Sequence, residues 1–145
     1  MKRFDFPLDR VRQWREKQIA IEDAELEKLF SKRRLLEQSL DLLETEAAES
    51  ARAVALAPSV SAMELQSVDA FRRYAASQRI LIARNIASCD AEIAAQQQKV
   101  REAHRRFELL DKLRQRKLTA WTAELNREIE AEAGEAFLAK WVRKS

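Results

Sequence analysis

Turn-forming residues are almost missing: the 145 residues include one glycine, Gly134, and two prolines, Pro7 and Pro58. A chain that folds back many times needs such residues at its loops, so a compact core built from many short elements is excluded. Cysteine is equally scarce. Cys89 stands alone, which excludes an intramolecular disulfide and leaves no thiolate pair for a metal; its default role is that of a small buried hydrophobe. The single histidine, His104, falls beside the apolar periodicity described below, with no serine or cysteine spaced to pair with it. The sequence also lacks a Glu-x-x-His pair and a glycine-rich phosphate loop. The chain therefore reads as a non-enzyme, with no catalytic residue, no metal and no cofactor expected. Long apolar runs are missing too: the longest uncharged stretch, Ala53 to Met63, contains Pro58 and is too short to span a bilayer. The opening MKRFDFPLDR has no apolar signal core, which predicts a cytoplasmic protein.

What is present is helix-forming: 46% hydrophobic and 35% charged residues, with 27 Lys and Arg interleaved among 24 Asp and Glu. Mixed charge of this kind marks solvated helix faces. From Leu65 to Leu110, stepping alternately by three and four residues gives fourteen positions, of which eleven are apolar: Leu65, Val68, Ala75, Ile82, Ile86, Cys89, Ile93, Val100, Ala103, Phe107 and Leu110. The exceptions are Arg72, Arg79 and Gln96. From Leu26 to Val54 the same stepping gives Leu26, Leu29, Leu36, Leu40, Leu43, Ala47 and Val54, missing only at Arg33 and Ser50. Both stretches carry a sustained coiled-coil seam.

Between them, Pro58 ends one helix and SAME at Ser61–Glu64 matches an S-x-x-E capping box that starts the next. One stop followed by one start predicts an all-α fold, a long two-helix antiparallel coiled-coil hairpin. The expected organisation is a single coiled-coil rod over residues 1–145, with helix one at about 7–57, a turn at about 58–61 and helix two at about 62–140. Each buried Leu or Ile contributes roughly 1.5 to 3 kcal/mol, so the seams can hold one chain together and a monomer is expected. Leu35 to Ala51 carries Glu37, Asp41, Glu44, Glu46 and Glu49 without a basic residue, opposite Arg72, Arg73, Arg79 and Arg84. Arg72 and Arg79 are placed to reach those carboxylates from the seam.

Towards both ends the period lengthens: Leu8, Val11, Ile19, Leu26 and Phe30 fit an eleven-residue stepping, as do Phe107, Leu110, Leu118, Trp121, Leu125 and Ile129. A turn at residues 58–61 puts Leu8 opposite roughly residues 107–114, so the second helix is expected to overhang its partner. At 1.5 Å per residue, the paired part would measure about 75 Å and the overhang about 30 Å more before Gly134 weakens it. The overhang carries Leu118, Trp121, Leu125 and Ile129 on one face, an apolar stripe of the kind that marks an interface. A partner, the N-terminal FDF segment or a second copy could each cover it. Lys99 to Lys117 holds eight basic against three acidic residues, and Met1 to Arg15 adds five against two. Those bases alternate with carboxylates and no nucleic-acid motif accompanies them, so no nucleic-acid partner is expected.

Two segments, RFDFPLDRVRQWREKQ at Arg3–Gln18 and FELLDKLRQRKLTAWTAELNRE at Phe107–Glu128, together resemble the FliJ family of flagellar export proteins. The likeness rests on the Phe-x-Phe-x-Leu start and on Leu110, Leu113 and Arg116-Lys117, and covers both helices; it departs from the family after Arg127-Glu128, where Ile129 and EAEAGEA follow. The resemblance implies a non-enzymatic stalk of the flagellar type III export apparatus. Such a stalk is inserted in the export ATPase ring and reaches the cytoplasmic part of the membrane export gate protein, with escort of export chaperones and peripheral association with the inner membrane at the flagellar base. The hairpin is also similar to the central stalk of rotary ATPases. The basic overhang then supplies the ATPase-binding set Arg114, Lys117, Leu118, Trp121 and Leu125. The export-gate set, on the part of the arms where the family makes its gate contacts, is Gln38, Leu42, Phe71, Tyr74 and Gln78, with Glu49 nearby. An injectisome stalk and a dimeric coiled-coil adaptor remain as alternatives.

Overall fold

In the computed structural model, which describes residues 2–145, the residues form two long α-helices packed against each other, and no strand occurs among the described residues. The first, α1, runs Asp9–Leu56 and the second, α2, runs Ala62–Lys144. Helix α1 opens after Pro7 with the Asp9 amide donating to the Phe6 carbonyl at 3.0 Å and the Arg12 amide to Leu8 at 2.9 Å. Asp9 puts a carboxylate in the first turn, where the exposed amides favour negative charge. The helix stops at Leu56, because Pro58 disfavours helical backbone at Ala57. The Ser61 half of the predicted capping box is formed: the Ser61 hydroxyl accepts from the Glu64 amide at 3.1 Å, and the Ser61 carbonyl starts the ladder with Leu65 at 3.1 Å. Helix α2 continues through Gly134, which lacks the left-handed backbone that would end a helix, and closes on Arg143 and Lys144, which suit its C-terminal dipole.

The chain divides into two units, Ile21–Val100 and the combination of Met1–Ala20 with Arg101–Ser145. In the Ile21–Val100 unit the seam residues Leu26, Leu29, Arg33, Leu36, Leu40, Leu43, Ala47, Ser50 and Val54 of α1 are all buried or half-buried. So are Val68, Ala75, Ile82, Ile86, Cys89, Ile93, Gln96 and Val100 of α2, whereas the expected seam positions Leu65, Arg72 and Arg79 are exposed, where the arms near the turn leave them uncovered. The tightest points are small side chains, Ala75 at 2% and Cys89 at 0% exposure, where a short side chain lets the opposing helix close over it. The Cys89 thiol donates to the Leu29 carbonyl at 3.4 Å.

Two polar residues of the seam, Gln96 and Arg33, are held by partners. Gln96, 8% exposed, donates its amide to the Glu22 carbonyl at 3.1 Å and to the Glu22 carboxylate. Arg33 donates to Asp90 at 2.6 Å and also pairs with Glu37, one turn along its own helix; the Asp90 hydrogen bond is the main cause of a guanidinium pKa raised further above its ordinary value. The expected charge match near the turn is realised once, between Arg79 and Glu44 at 3.7 Å. Arg73 turns instead to Asp69 of its own helix at 3.0 Å, and Arg72 is exposed. An i,i+4 partner on the same helix is held close by the backbone, so reaching it costs an exposed side chain less ordering than crossing to the other helix.

At the N-terminal end the expected eleven-residue stepping holds at Ile19, Leu26 and Phe30, which are half-buried, but not in the first turns of α1. Leu8 and Val11 are 40% and 42% exposed, whereas Arg12, Arg15, Ile19 and Glu22 are half-buried and continue the three-four stepping back from Leu26. The aliphatic stems of the arginines cover apolar surface while their heads stay polar.

Truncation of Ile93, 7% exposed, to alanine is expected to destabilise the fold by about 2 to 4 kcal/mol. Leu35→Ala, at a side chain 64% exposed, should stay within about 0.5 kcal/mol in the same urea titration followed by circular dichroism. Gly134 has open space where a Cβ would sit, so Gly134→Ala should firm the end of α2 by about 1 kcal/mol, read as slower amide exchange over the surrounding turns.

Candidate functional site

The Met1–Ala20 and Arg101–Ser145 unit is organised around arginine and aromatic contacts. Arg12 donates through Nε to Asp111 at 3.1 Å while its guanidinium carbon lies 5.4 Å from the centre of the Phe107 ring. Asp9 sits 3.9 Å from Arg114, and the Arg114 guanidinium in turn stands over the Phe4 ring at 5.7 Å. Phe4 packs on Trp121 with ring centres 5.8 Å apart and planes tilted by 56°, within the spacing of favourable aromatic pairs. The Trp121 indole N–H donates to the Lys2 carbonyl at 3.1 Å. Two residues away from Phe4, Phe6 is buried at 5% exposure, and its carbonyl is held by the Asp9 amide.

The residues expected to bind an ATPase, Arg114, Lys117, Leu118, Trp121 and Leu125, all lie on α2 in this unit. Arg114, Leu118, Trp121 and Leu125 are half-buried and Lys117 is exposed. The stripe is not bare along its length: the N-terminal segment lies on Trp121, and Lys2, Arg3, Phe4 and Asp5 form a cleft with Lys117, Ala120, Trp121 and Glu124. Ile129, the last residue of the predicted stripe, is 54% exposed, and every residue from Asn126 to Ser145 is exposed. The covering of Trp121 depends on a non-helical segment whose only sequence signal is the alternation of Phe4 and Phe6 before Pro7.

The expected gate residues lie in the Ile21–Val100 unit. Leu42, Tyr74 and Gln78 meet in one open groove with Ser39, Leu43, Glu46 and Ile82. Leu42 and Tyr74 keep 63% and 56% of their surface exposed. Phe71 is half-buried beside Tyr74, ring centres 6.3 Å apart, while Gln38 is exposed and outside the groove residues. A second hollow next to the turn is lined by Ala53, Val54, Ala57, Val60, Met63 and Val68 together with Ser50, Ser61, Glu64 and Ser67, and is mainly apolar. Its signal was the run of small and apolar residues either side of Pro58.

Among the described residues, no three of His, Cys, Asp and Glu gather as a metal site, and no helix is long and apolar enough to cross a membrane. The family model described as Flagellar FliJ protein matches residues 4–141, nearly the whole chain. The chain belongs to the FliJ family. No curated protein and no solved structure matches it. FliJ proteins are structural components tied to flagellar export, and the matched span contains all the residues of both sets.

Arg12 is the most heavily engaged cation of this unit, with its side chain 23% exposed. Arg12→Ala should cost about 1 to 2 kcal/mol in thermal or urea unfolding, through the lost Asp111 bond and the lost ring contact. Arg105, 75% exposed in a pair at 4.0 Å, should show almost no effect when replaced by alanine.

Proposed function

We propose that this FliJ-family chain is the non-enzymatic stalk of the flagellar type III export apparatus. In this reading, α1 and α2 form an antiparallel coiled-coil hairpin whose second helix overhangs the first. The order of cross-helix pairs supports it: Glu22 with Gln96, Arg33 with Asp90 and Glu44 with Arg79 in one unit, Asp9 with Arg114 and Arg12 with Asp111 in the other. The observation that carries the proposal is the run of α2 from Asn126 to Lys144, exposed throughout and continuous with the Leu118–Trp121–Leu125 face. An unaccompanied helix of that length, preceded by a basic segment, suits insertion in the polar or acidic pore of a partner ring.

Arg114, Lys117, Leu118, Trp121 and Leu125 make the contact with the export ATPase ring. At the other set, Leu42, Tyr74 and Gln78, flanked by Gln38 and Phe71, bind the cytoplasmic part of the export gate protein; half-exposed apolar and aromatic groups beside amides are the composition of a protein interface. Coupling between ring and gate is mechanical positioning, and escort of export chaperones accompanies it. The chain works in the cytoplasm, held peripherally at the inner membrane under the flagellum by these partners.

Leu118→Ala combined with Leu125→Ala should weaken binding to the export ATPase by about tenfold or more with helicity unchanged, measured by interferometry on the purified pair. Unchanged affinity would reject the ring contact. Leu42→Ala with Tyr74→Ala should abolish capture of the gate protein's cytoplasmic part and motility without shifting the melting temperature, since both side chains are mostly exposed. A large fall in stability would return them to the core.

A further inference from the structure

We propose that residues Lys2–Asp5 form a strap that masks the ATPase-docking face of α2 and must lift for docking to occur, an inference that rests on the ring contact proposed above. Two of the five residues assigned to that contact are already occupied within the chain. Trp121 carries Phe4 on its ring and gives its indole hydrogen to the Lys2 carbonyl, and Arg114 spends its guanidinium on the Phe4 ring and Asp9. A third, Lys117, lines the cleft beneath the same segment. A partner that engages Trp121 and Arg114 has to take them from Phe4.

The strap is built to be released. Residues 2–6 form no helix or strand, so the segment has no backbone ladder to break when it leaves. Phe4 is only half-buried, and the contact amounts to one aromatic pair, one hydrogen bond and one cation over a ring. Phe6, by contrast, is 5% exposed and its carbonyl is tied to the first turn of α1, with Pro7 stiffening the join. Phe6 is the anchor: the strap Lys2–Asp5 before it can swing away without disturbing α1. A face available only in the strap-open fraction binds more weakly by that fraction, so removing Phe4 raises the apparent affinity.

The test uses the full chain and its export ATPase. In a background carrying Trp14→Phe and Trp141→Phe, Trp121 reports alone; Phe4→Ala should increase its quenching by acrylamide. In the otherwise unaltered chain, Phe4→Ala should tighten ATPase binding by roughly tenfold, whereas Leu125→Ala, at a residue outside the strap contacts, should weaken it. Unchanged quenching overturns the strap. If Leu125→Ala weakens binding and Phe4→Ala leaves it unchanged or also weakens it, the segment does not mask the face; the inference fails and the ring contact stands. If Leu125→Ala has no effect, the ring contact fails and the inference with it.

Discussion

Two helices of 48 and 83 residues, in a chain with one glycine and two prolines, build their seam from each other's apolar faces. Isolated helices gain little in water, since backbone hydrogen bonds exchange with solvent and ordering costs entropy; the apolar seam supplies the difference. Every other feature is subordinate to keeping that seam in step. Gln96 and Glu22 show how. A buried amide with a carbonyl and a carboxylate of one residue as acceptors is fully satisfied at one alignment, and sliding by a heptad would put Arg15 or Leu29 in place of Glu22, neither with an acceptor side chain. The apolar positions alone would tolerate such a slide, so a polar side chain sets the register of a hydrophobic interface.

The heptad was legible because burial repeats at fixed spacing. Ile82, Ile86, Cys89, Ile93 and Ala103 lie inside, as their stepping required, and Pro58 and Ser61 stop and start the helices by local chemistry. Where sequence reasoning went astray, residue type had overridden position. Leu8 and Val11 are apolar but stand outside the seam, and Arg12 and Arg15 are charged but lie along it. A long cationic side chain can fill a hydrophobic position with its stem, which a hydrophobic pattern does not register. Arg73 chose Asp69 over the acidic helix opposite for a similar reason, since a count of charges on two segments carries no information about the cheapest partner of each.

The candidate site was legible in part. The face of Leu118, Trp121 and Leu125 follows from spacing, and of the groups read beside the seam Leu42, Tyr74 and Gln78 line one groove, while Gln38 and Phe71 do not. The N-terminal covering was one of three candidates for the stripe, and spacing did not choose among them. It joins residues 2 to 4 to residues 114 to 121 through a segment without periodicity, and contacts of that separation leave no local trace. Membership of the FliJ family ties the chain to flagellar export.

Cys89 gives this assembly a built-in clock. Its thiol is fully shielded, hydrogen-bonded to the Leu29 carbonyl, and the chain has no second cysteine to compete for a reagent. Alkylation can therefore proceed only when α1 and α2 part at that layer. When reclosing is faster than labelling, the modification rate measures the population of the parted state; when labelling is faster, it measures how often the layer opens. The same sulfur thus converts the breathing of a two-helix seam into a chemical rate, in a position where no fluorophore would fit.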